Sequence, residues 1–143
     1  MHADELEANP ALHDYHVHDL NAAPHLRMYA DESFDAVFCS VSVDYLADPL
    51  PVFREIRRVL RPNGLAVFTW SNRMFPTKAI TAWREASEPG RLWICGCYFH
   101  YVGGYTEPEG LDLSPYPGRS DPVYAVSARK APANDQAQGK TEL

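Results

Sequence analysis

The sequence lacks several features that would place it in a special class of protein. No apolar run approaches the roughly 18 residues that a membrane-spanning helix needs, and the first residues, MHADE, are polar and acidic rather than a secretory leader. Cysteine occurs three times, at Cys39, Cys95 and Cys97, and this odd, small number does not suit a disulfide framework. We therefore expect a cytoplasmic protein with reduced thiols and no membrane partner.

Basic residues are also scarce. The chain has 13 lysines and arginines against 19 aspartates and glutamates, which gives a formal net charge of -6. Neutralising phosphates requires a clustered basic patch, so this balance argues against a nucleic-acid partner. The basic cluster that is present, with Arg54, Arg57, Arg58 and Arg61, falls on one face of a predicted helix. We interpret it as a solvated helix face.

What is present is a strand–helix–strand unit. The segment Phe34–Val43 is rich in Val, Phe and Cys, which predicts a central strand buried on both faces. Asp48 before Pro49 predicts a helix start, and Pro62-Asn63-Gly64 predicts its end. A second buried strand follows at Leu65–Ser71. The size suits one right-handed βαβ crossover, so the two strands should be parallel neighbours.

The segments before this unit predict a helix at Asp4–Ala8, a strand at Asp14–Leu20 and a loop at Asn21–Glu32. The segments after it predict a helix at Pro76–Glu85 that Ser87–Gly90 breaks, a β-rich run at Leu92–Tyr101 and a turn at Gly103-Gly104. A proline-rich loop at Pro108–Pro122 and a last strand at Val123–Arg129 follow. Residues 131–143 have no apolar period and predict a disordered tail. We expect residues 1–130 to form one domain.

Several motifs together resemble one enzyme family. Ser33-Phe34-Asp35-Ala36-Val37 and the segment Glu55–Leu65 (EIRRVLRPNGL) resemble the fourth and fifth strands, with the helix between them, of class I S-adenosylmethionine-dependent methyltransferases, above all the type 11 group. Asp19-Leu20-Asn21 is similar to the acidic turn after the third strand of that family. Ser71-Asn72-Arg73 and the segment Pro117–Pro122 extend the resemblance to about nine-tenths of the chain.

The resemblance implies an α/β fold with a Rossmann-like sheet of strand order 3-2-1-4-5-7-6, mostly parallel and with an antiparallel C-terminal strand pair. It also implies S-adenosyl-L-methionine as the small-molecule cofactor. The family's glycine-rich turn after the first strand and its acidic residue after the second strand have no counterpart here. We therefore expect an incomplete, amino-terminally truncated sheet that lacks the first two strands and leaves room for a strand-completing partner chain.

The resemblance also implies site residues, each of which has a plainer interpretation. A cofactor-binding set would be Asp19, Leu20, Ser40, Val41 and Ser42. The plainer alternatives are a turn acid for Asp19 and strand-to-loop packing for the serine-containing segment. Catalytic candidates are Asp44, Tyr45 and His100, which could equally be a helix entry and a structural histidine. No base is required unless the methyl acceptor must lose a proton.

A metal site is not expected. His16 and His18 would share a strand face near His13 and Asp19, but a closed site needs convergent ligands, and Cys95 and Cys97 are remote in sequence. Two functions of different classes remain open. One is a methyltransferase with an unknown acceptor, and the other is a non-catalytic remnant that acts as an interaction module or has no activity.

Overall fold

A computed structural model describes residues 3–132 of the chain. None of the helices in that range has both the length and the apolar character needed to cross a bilayer. The elements in chain order are α1 (Ala3–Glu7), β1 (Phe34–Ser40), a 3-10 turn (Val43–Tyr45), α2 (Pro49–Val59), β2 (Leu60–Trp70), α3 (Thr81–Glu85), α4 (Glu88–Val102), β3 (Glu109–Asp112) and β4 (Tyr124–Arg129).

The four strands form one mixed sheet in the order β1-β2-β4-β3. β1 and β2 are parallel, as predicted, and β4 is antiparallel to both β2 and β3. β1, β2 and β3 therefore run in one direction and β4 in the other. This order matches the 4-5-7-6 half of the sheet that the resemblance implies, so the predicted incomplete Rossmann-like α/β sheet with antiparallel C-terminal pairing is confirmed.

α2 begins where the sequence predicts, but it ends earlier, at Val59, and β2 already begins at Leu60 rather than at Leu65. Asp48 takes the N-cap position, although its side chain makes no capping hydrogen bond, and Pro49 opens the helix. The buried stripe of the helix faces the sheet, where the ring of Phe53 stacks on that of Phe68 with centroids 4.3 Å apart. Inside β2, Asn63 has a φ of 63°, and a side chain at Gly64 would collide with the backbone oxygen of Arg61. The predicted helix stop therefore lies in the first part of β2, at a backbone conformation that suits Asn and Gly.

The segment predicted to be β-rich, Leu92–Tyr101, is instead part of the helix α4. The residues taken for a break start this helix: the Ser87 side chain accepts a hydrogen bond from the Gly90 N–H at 3.3 Å, and Pro89 stands in the first turn. The buried residues Arg91, Cys95 and Phe99 recur every four positions, which is the spacing of a helix face. Packing of this face on the sheet overrides the β-rich composition.

β1 is an edge strand and not the central strand predicted. It ends at Ser40 rather than Val43, and within residues 3–132 it pairs only with β2. The predicted strand at Asp14–Leu20 does not form, because its residues join no ladder. Phe38 on β1 is 70% exposed instead of buried, so the described residues leave the sheet face on which its side chain lies uncovered.

The other predictions hold in part. The last strand is confirmed at Tyr124–Arg129, and the predicted first helix is present as the short α1. The predicted helix Pro76–Glu85 is helical only in α3. The proline-rich loop Pro108–Pro122 contains β3, which the sequence did not indicate. The predicted tail lies outside the described residues from position 133 onward.

Candidate active site at the carboxyl ends of β1 and β2

The turn that follows β1 is strained. Val41 has a φ of 45°, a left-handed conformation that a β-branched side chain rarely adopts. Its backbone N–H donates to the carbonyl of Thr69 on β2 at 2.8 Å, while its side chain is 56% exposed. The hydroxyl of Ser42 donates to the carbonyl of Ser40 at 3.0 Å. The chain is thus bent sharply at the edge of the sheet where open α/β folds bind ligands.

Asp44 lies buried one turn further on. It is only 3% exposed, and its Oδ1 atom has no hydrogen-bond partner within residues 3–132. Burial raises the pKa of this carboxyl above its usual range, although its own backbone N–H, the Tyr45 side chain and the charge of Arg91 act in the opposite direction. A buried carboxyl with a free oxygen is a group available for chemistry or for binding.

Tyr45 connects this turn to the loop after β2. Its hydroxyl accepts a hydrogen bond from the backbone N–H of Phe75 at 3.0 Å, and the two rings lie 6.4 Å apart. Burial, followed by the nearby Asp44 charge, raises the pKa of the Tyr45 phenol, so it stays protonated at neutral pH. The backbone N–H of Ile80 donates to the carbonyl of Asp44 at 3.0 Å. The loops after β1 and β2 therefore form one connected rim.

The turn with Asp19 and Leu20 is attached to the same rim. Asp19 Oδ1 accepts from the backbone N–H of Asn21 at 2.9 Å, which is an Asx turn. The Asn21 side chain in turn donates to the carbonyl of Tyr45 at 2.9 Å and accepts from the N–H of Ala47 at 2.8 Å. The structure thus joins Asp19 and Leu20 of the predicted cofactor-binding set to the predicted catalytic residues Asp44 and Tyr45. The sequence analysis named Asn21 in the Asp19-Leu20-Asn21 motif but gave it no role, because the partners of its side chain are more than 20 residues away.

A buried polar group beneath the rim was also missed. Arg91 on α4 donates through Nε to the carbonyl of Trp83 at 3.0 Å and pairs with Glu88 at 2.6 Å. The Trp83 ring contacts that of Trp70 edge-on at 5.0 Å, and the Trp70 Nε1 donor has no partner within the described range. The spacing of Arg91 from Cys95 and Phe99 was the available signal, but the predicted β-run concealed it.

The loop Pro108–Pro122 reaches the rim through an ion pair. Asp121 Oδ2 lies 2.5 Å from Arg73 Nε, so the partner of Asp121 is the loop after β2 and not the neighbouring Arg119. Four segments now border the carboxyl ends of β1 and β2: the turns at Asp19 and Val41 and the loops that contain Phe75 and Asp121.

His100 is not brought to this site. It lies near the end of α4, nine residues after Arg91, which corresponds to roughly 14 Å along a helix. It borders a separate groove with Trp93 and Tyr101. The candidate pair Asp44 and Tyr45 is therefore adjacent to Ser40–Ser42 and linked to Asp19, whereas His100 stands apart.

The other histidines and the cysteines do not converge. His16 Nε2 lies 3.2 Å from Asp14, and His18 Nε2 donates to the carbonyl of Ala23 at 2.6 Å. No group of three or more His, Cys, Asp or Glu side chains in the described part of the chain is arranged to hold a metal ion. Burial raises the pKa of the Cys39 thiol to about 11, and burial also raises that of Cys95, so neither is a nucleophile at neutral pH.

Comparison with known proteins points to one family. Residues 2–68 match a family model described as a methyltransferase domain. This match contains the turn at Asp19, all of β1, the strained turn after it, α2 and most of β2. Two of the four segments that border the rim, the turns at Asp19 and Val41, therefore fall inside the matched region.

Individual relatives agree with the family model. A probable methyltransferase from Aspergillus luteorubrus is 32% identical over 92 residues, which are 61% of this chain and 29% of that protein. A ubiquinone biosynthesis O-methyltransferase from Histophilus somni is 36% identical over 53 residues, 37% of this chain and 22% of that protein. The chain thus spans less than a third of the length of these curated relatives.

A solved structure shares the fold. The S-adenosylmethionine-dependent methyltransferase from Mesorhizobium loti superimposes with a TM-score of 0.57 at 18% identity, covering 89% of this chain and 74% of that one. At this level of identity the likeness concerns the fold alone.

Proposed function

We propose that the chain is a class I S-adenosylmethionine-dependent methyltransferase. It would take part in transferring a methyl group from S-adenosylmethionine to an acceptor, with the rim at the carboxyl ends of β1 and β2 as the site. The observation that carries this proposal is the link through Asn21. Two hydrogen bonds of 2.9 and 2.8 Å hold the Asp19 turn against the segment after Asp44. A cofactor side and an acceptor side are thereby fixed relative to each other.

The cofactor side consists of backbone and short side chains. Asp19 would accept a hydrogen bond from the adenine amino group, and the N–H of Leu20 would donate to a ring nitrogen. Ser40, Val41 and Ser42 would offer backbone groups at the rim. The φ of 45° at Val41 supports this role, because strained backbone is retained mainly where geometry matters for function.

The acceptor side centres on Asp44 and Tyr45. In methyl transfer the acceptor atom attacks the methyl carbon, the carbon–sulfur bond breaks with its electron pair going to sulfur, and an acceptor that carries a proton must release it. The raised pKa of Asp44 makes this carboxylate a stronger base than a solvated one once it is ionised. Its Oδ1, which has no partner in residues 3–132, would receive that proton or orient the group that carries it. His100 would not act here, because it lies at the opposite end of α4.

The alternative function, an interaction module completed by a partner strand, has its own support. β1 is open on one side within residues 3–132, and Phe38 exposes 70% of its side chain on this strand. An apolar edge strand is a template for pairing with another chain. Such a partner could act beside methyl transfer or in place of it.

Titration calorimetry with S-adenosylhomocysteine tests the main proposal on the 143-residue chain. We expect saturable binding that Asp19→Ala and Asn21→Ala each weaken by about tenfold, the effect of losing a charged hydrogen bond or two neutral ones. Asn9→Ala is the matched control, because Asn9 also accepts a backbone N–H at 3.0 Å but in a remote turn.

Circular dichroism must show that all variants keep the wild-type helix content. A folded wild-type chain that gives no binding heat would contradict the proposal that this chain binds the cofactor by itself. Equal affinity of the wild type and Asn21→Ala would remove the link through Asn21 as its basis. Binding of a partner strand without any binding of S-adenosylhomocysteine would favour the interaction module.

A further inference from the structure

The outer face of α4 is unusually aromatic. One face of the helix, with Arg91, Cys95 and Phe99, is buried against the sheet. The opposite face presents Trp93 and Tyr101, and each of these side chains is 72% exposed. A helix that is apolar on all sides is normally covered on all sides, so this face has more aromatic surface than a solvated helix needs.

A groove runs between this face and the chain that leads into β3. Its volume is about 540 Å³, within the range that small ligands occupy. Gly96 and Gly110 lie in its lining, and a Cβ added to either would make an ordinary van der Waals contact, at 3.7 Å from Pro108 and 3.6 Å from Leu92 respectively. The lining residues are Leu92, Trp93, Gly96, Cys97, His100, Tyr101, Glu107, Pro108 and Gly110.

The charge of the groove is one-sided. Glu107 is the carboxylate in its lining, and the lining contains neither lysine nor arginine. Within residues 3–132, Glu107 takes part in no ion pair. A second groove, beside α2, has the opposite balance of charge, because its lining contains four basic residues, Arg54, Arg57, Arg58 and Lys130, and two acidic ones, Asp31 and Glu32. Aromatic rings and an unpaired carboxylate together attract a cation rather than an anion.

We propose that the α4 groove binds a small organic cation of the quaternary ammonium class. The faces of Trp and Tyr rings attract such cations through their quadrupoles, and the methyl groups of the cation cover the apolar surface that α4 leaves exposed. Glu107 adds a carboxylate that can pair with the cation without first breaking an ion pair with another residue of the described range. This site is separate from the proposed methyl-transfer rim, because it lies on the exposed face of α4, whereas Arg91 beneath the rim is on the buried face.

Proton NMR of tetramethylammonium in the presence of the protein tests the proposal directly. A cation held over aromatic faces should show a saturable upfield shift of its methyl resonance, which ion pairing alone would not produce. Intrinsic fluorescence gives a second measure, because Trp70 and Trp83 are buried and Trp93 is the exposed tryptophan. We expect tetramethylammonium chloride to change the Trp93 emission where sodium chloride at equal ionic strength does not.

Variants and a neutral isostere define the site. Trp93→Ala, Tyr101→Leu and Glu107→Gln should each weaken the NMR-detected binding by about two- to fivefold, the size of an exposed cation–π or ionic contact. Tyr116→Leu is the control, because Tyr116 is exposed to a similar degree outside the groove. Choline should bind, and its neutral analogue 3,3-dimethylbutan-1-ol should bind several-fold more weakly.

Three results would overturn the proposal. These are the absence of a saturable shift with folded protein, equal binding of choline and its neutral analogue, and equal loss of binding in Tyr116→Leu and the groove variants. The second result would show an apolar docking face for which charge is irrelevant. Binding of S-adenosylhomocysteine is a separate readout, so failure of one proposal leaves the other to be judged alone.

Discussion

β1 and β2 are neighbouring parallel strands of similar composition in opposite surroundings. β2 is hydrogen-bonded to β1 on one side and to β4 on the other, and Phe68 on it is buried. β1 pairs only with β2 among the described strands, and Phe38 on it is largely exposed. The apolar composition of a strand thus shows that the strand is suited to being buried, but it does not show whether the rest of the chain buries it. An apolar edge strand is a surface suited to being covered.

The largest expected difference is in the free energy of unfolding, between variants of Phe68 on β2 and of Phe38 on β1. Phe68→Ala should lower the free energy of unfolding by about 3–5 kcal/mol, because the buried ring stacks on Phe53 and its loss leaves a cavity. Phe38→Ala should change it by no more than about 0.5 kcal/mol, as expected for an exposed side chain. Urea unfolding followed by circular dichroism measures both. A cost of several kcal/mol for Phe38→Ala would show that β1 is covered in solution.

A smaller and opposite effect is expected at the end of β1. Val41→Gly should raise the free energy of unfolding by about 1 kcal/mol, because glycine adopts the φ of 45° without the strain that a β-branched residue carries. Val67→Gly is the contrast: it replaces a residue in the middle of β2 that pairs with Phe38, and it should destabilise the fold by a similar amount. The same urea titrations measure both. Destabilisation by Val41→Gly would mean that contacts of the Val41 side chain outweigh the strain.

The smallest effect concerns Asp44, where opposing influences partly cancel. Its pKa is raised in the folded state above the ordinary value of 3.8, chiefly by burial. Between the unfolded and folded pKa values the folded chain holds a proton that the unfolded chain has released, so stability falls as the pH rises through that window. Asp44→Asn cannot ionise and should therefore gain stability relative to the wild type as the pH rises.

Unfolding of the two proteins from acid to neutral pH measures this difference. The two stability curves should run parallel below the ordinary pKa of 3.8, where the wild-type carboxyl is protonated in both states, and separate above it. Parallel curves over the whole range would show that Asp44 is solvated in the folded protein.

Local signals predicted the parts of the fold that local chemistry determines. Asp48 and Pro49 located the start of α2, because a helix start depends on adjacent residues. Pro62-Asn63-Gly64 showed only that the helix could not continue past it, and the helix ends earlier, at Val59. The prediction of a β-rich run where α4 forms was wrong, because distant contacts decide the structure of this segment. Trp93 and its β-favouring neighbours suggested a strand, while packing of a distant sheet against every fourth residue made a helix.

In the candidate site, too, the residues that are adjacent in sequence were predicted and the contacts between distant residues were not. Ser40–Ser42, Asp44 and Tyr45 are contiguous, and the family resemblance pointed to them and to Asp19. The role of Asn21 was missed because its partners stand at the far side of β1, 24 and 26 residues away. The pairing of Asp121 with Arg73 was likewise invisible, since it crosses from one loop to another. Periodicity carries no information about side-chain contacts of this range.

The position of β4 also sets the order of events during synthesis. β4 is the last of the four described strands in the chain, yet it lies between β2 and β3. Until Tyr124–Arg129 has left the ribosome, β4 is absent and cannot pair with β2 or β3. The edges of β2 and β3 that later pair with β4 therefore have unpaired backbone N–H and C=O groups in the nascent chain. Long-range pairing of this kind is slow and exposes the chain to aggregation. A chain stopped before Tyr124 would leave β3 without the partner that it has here.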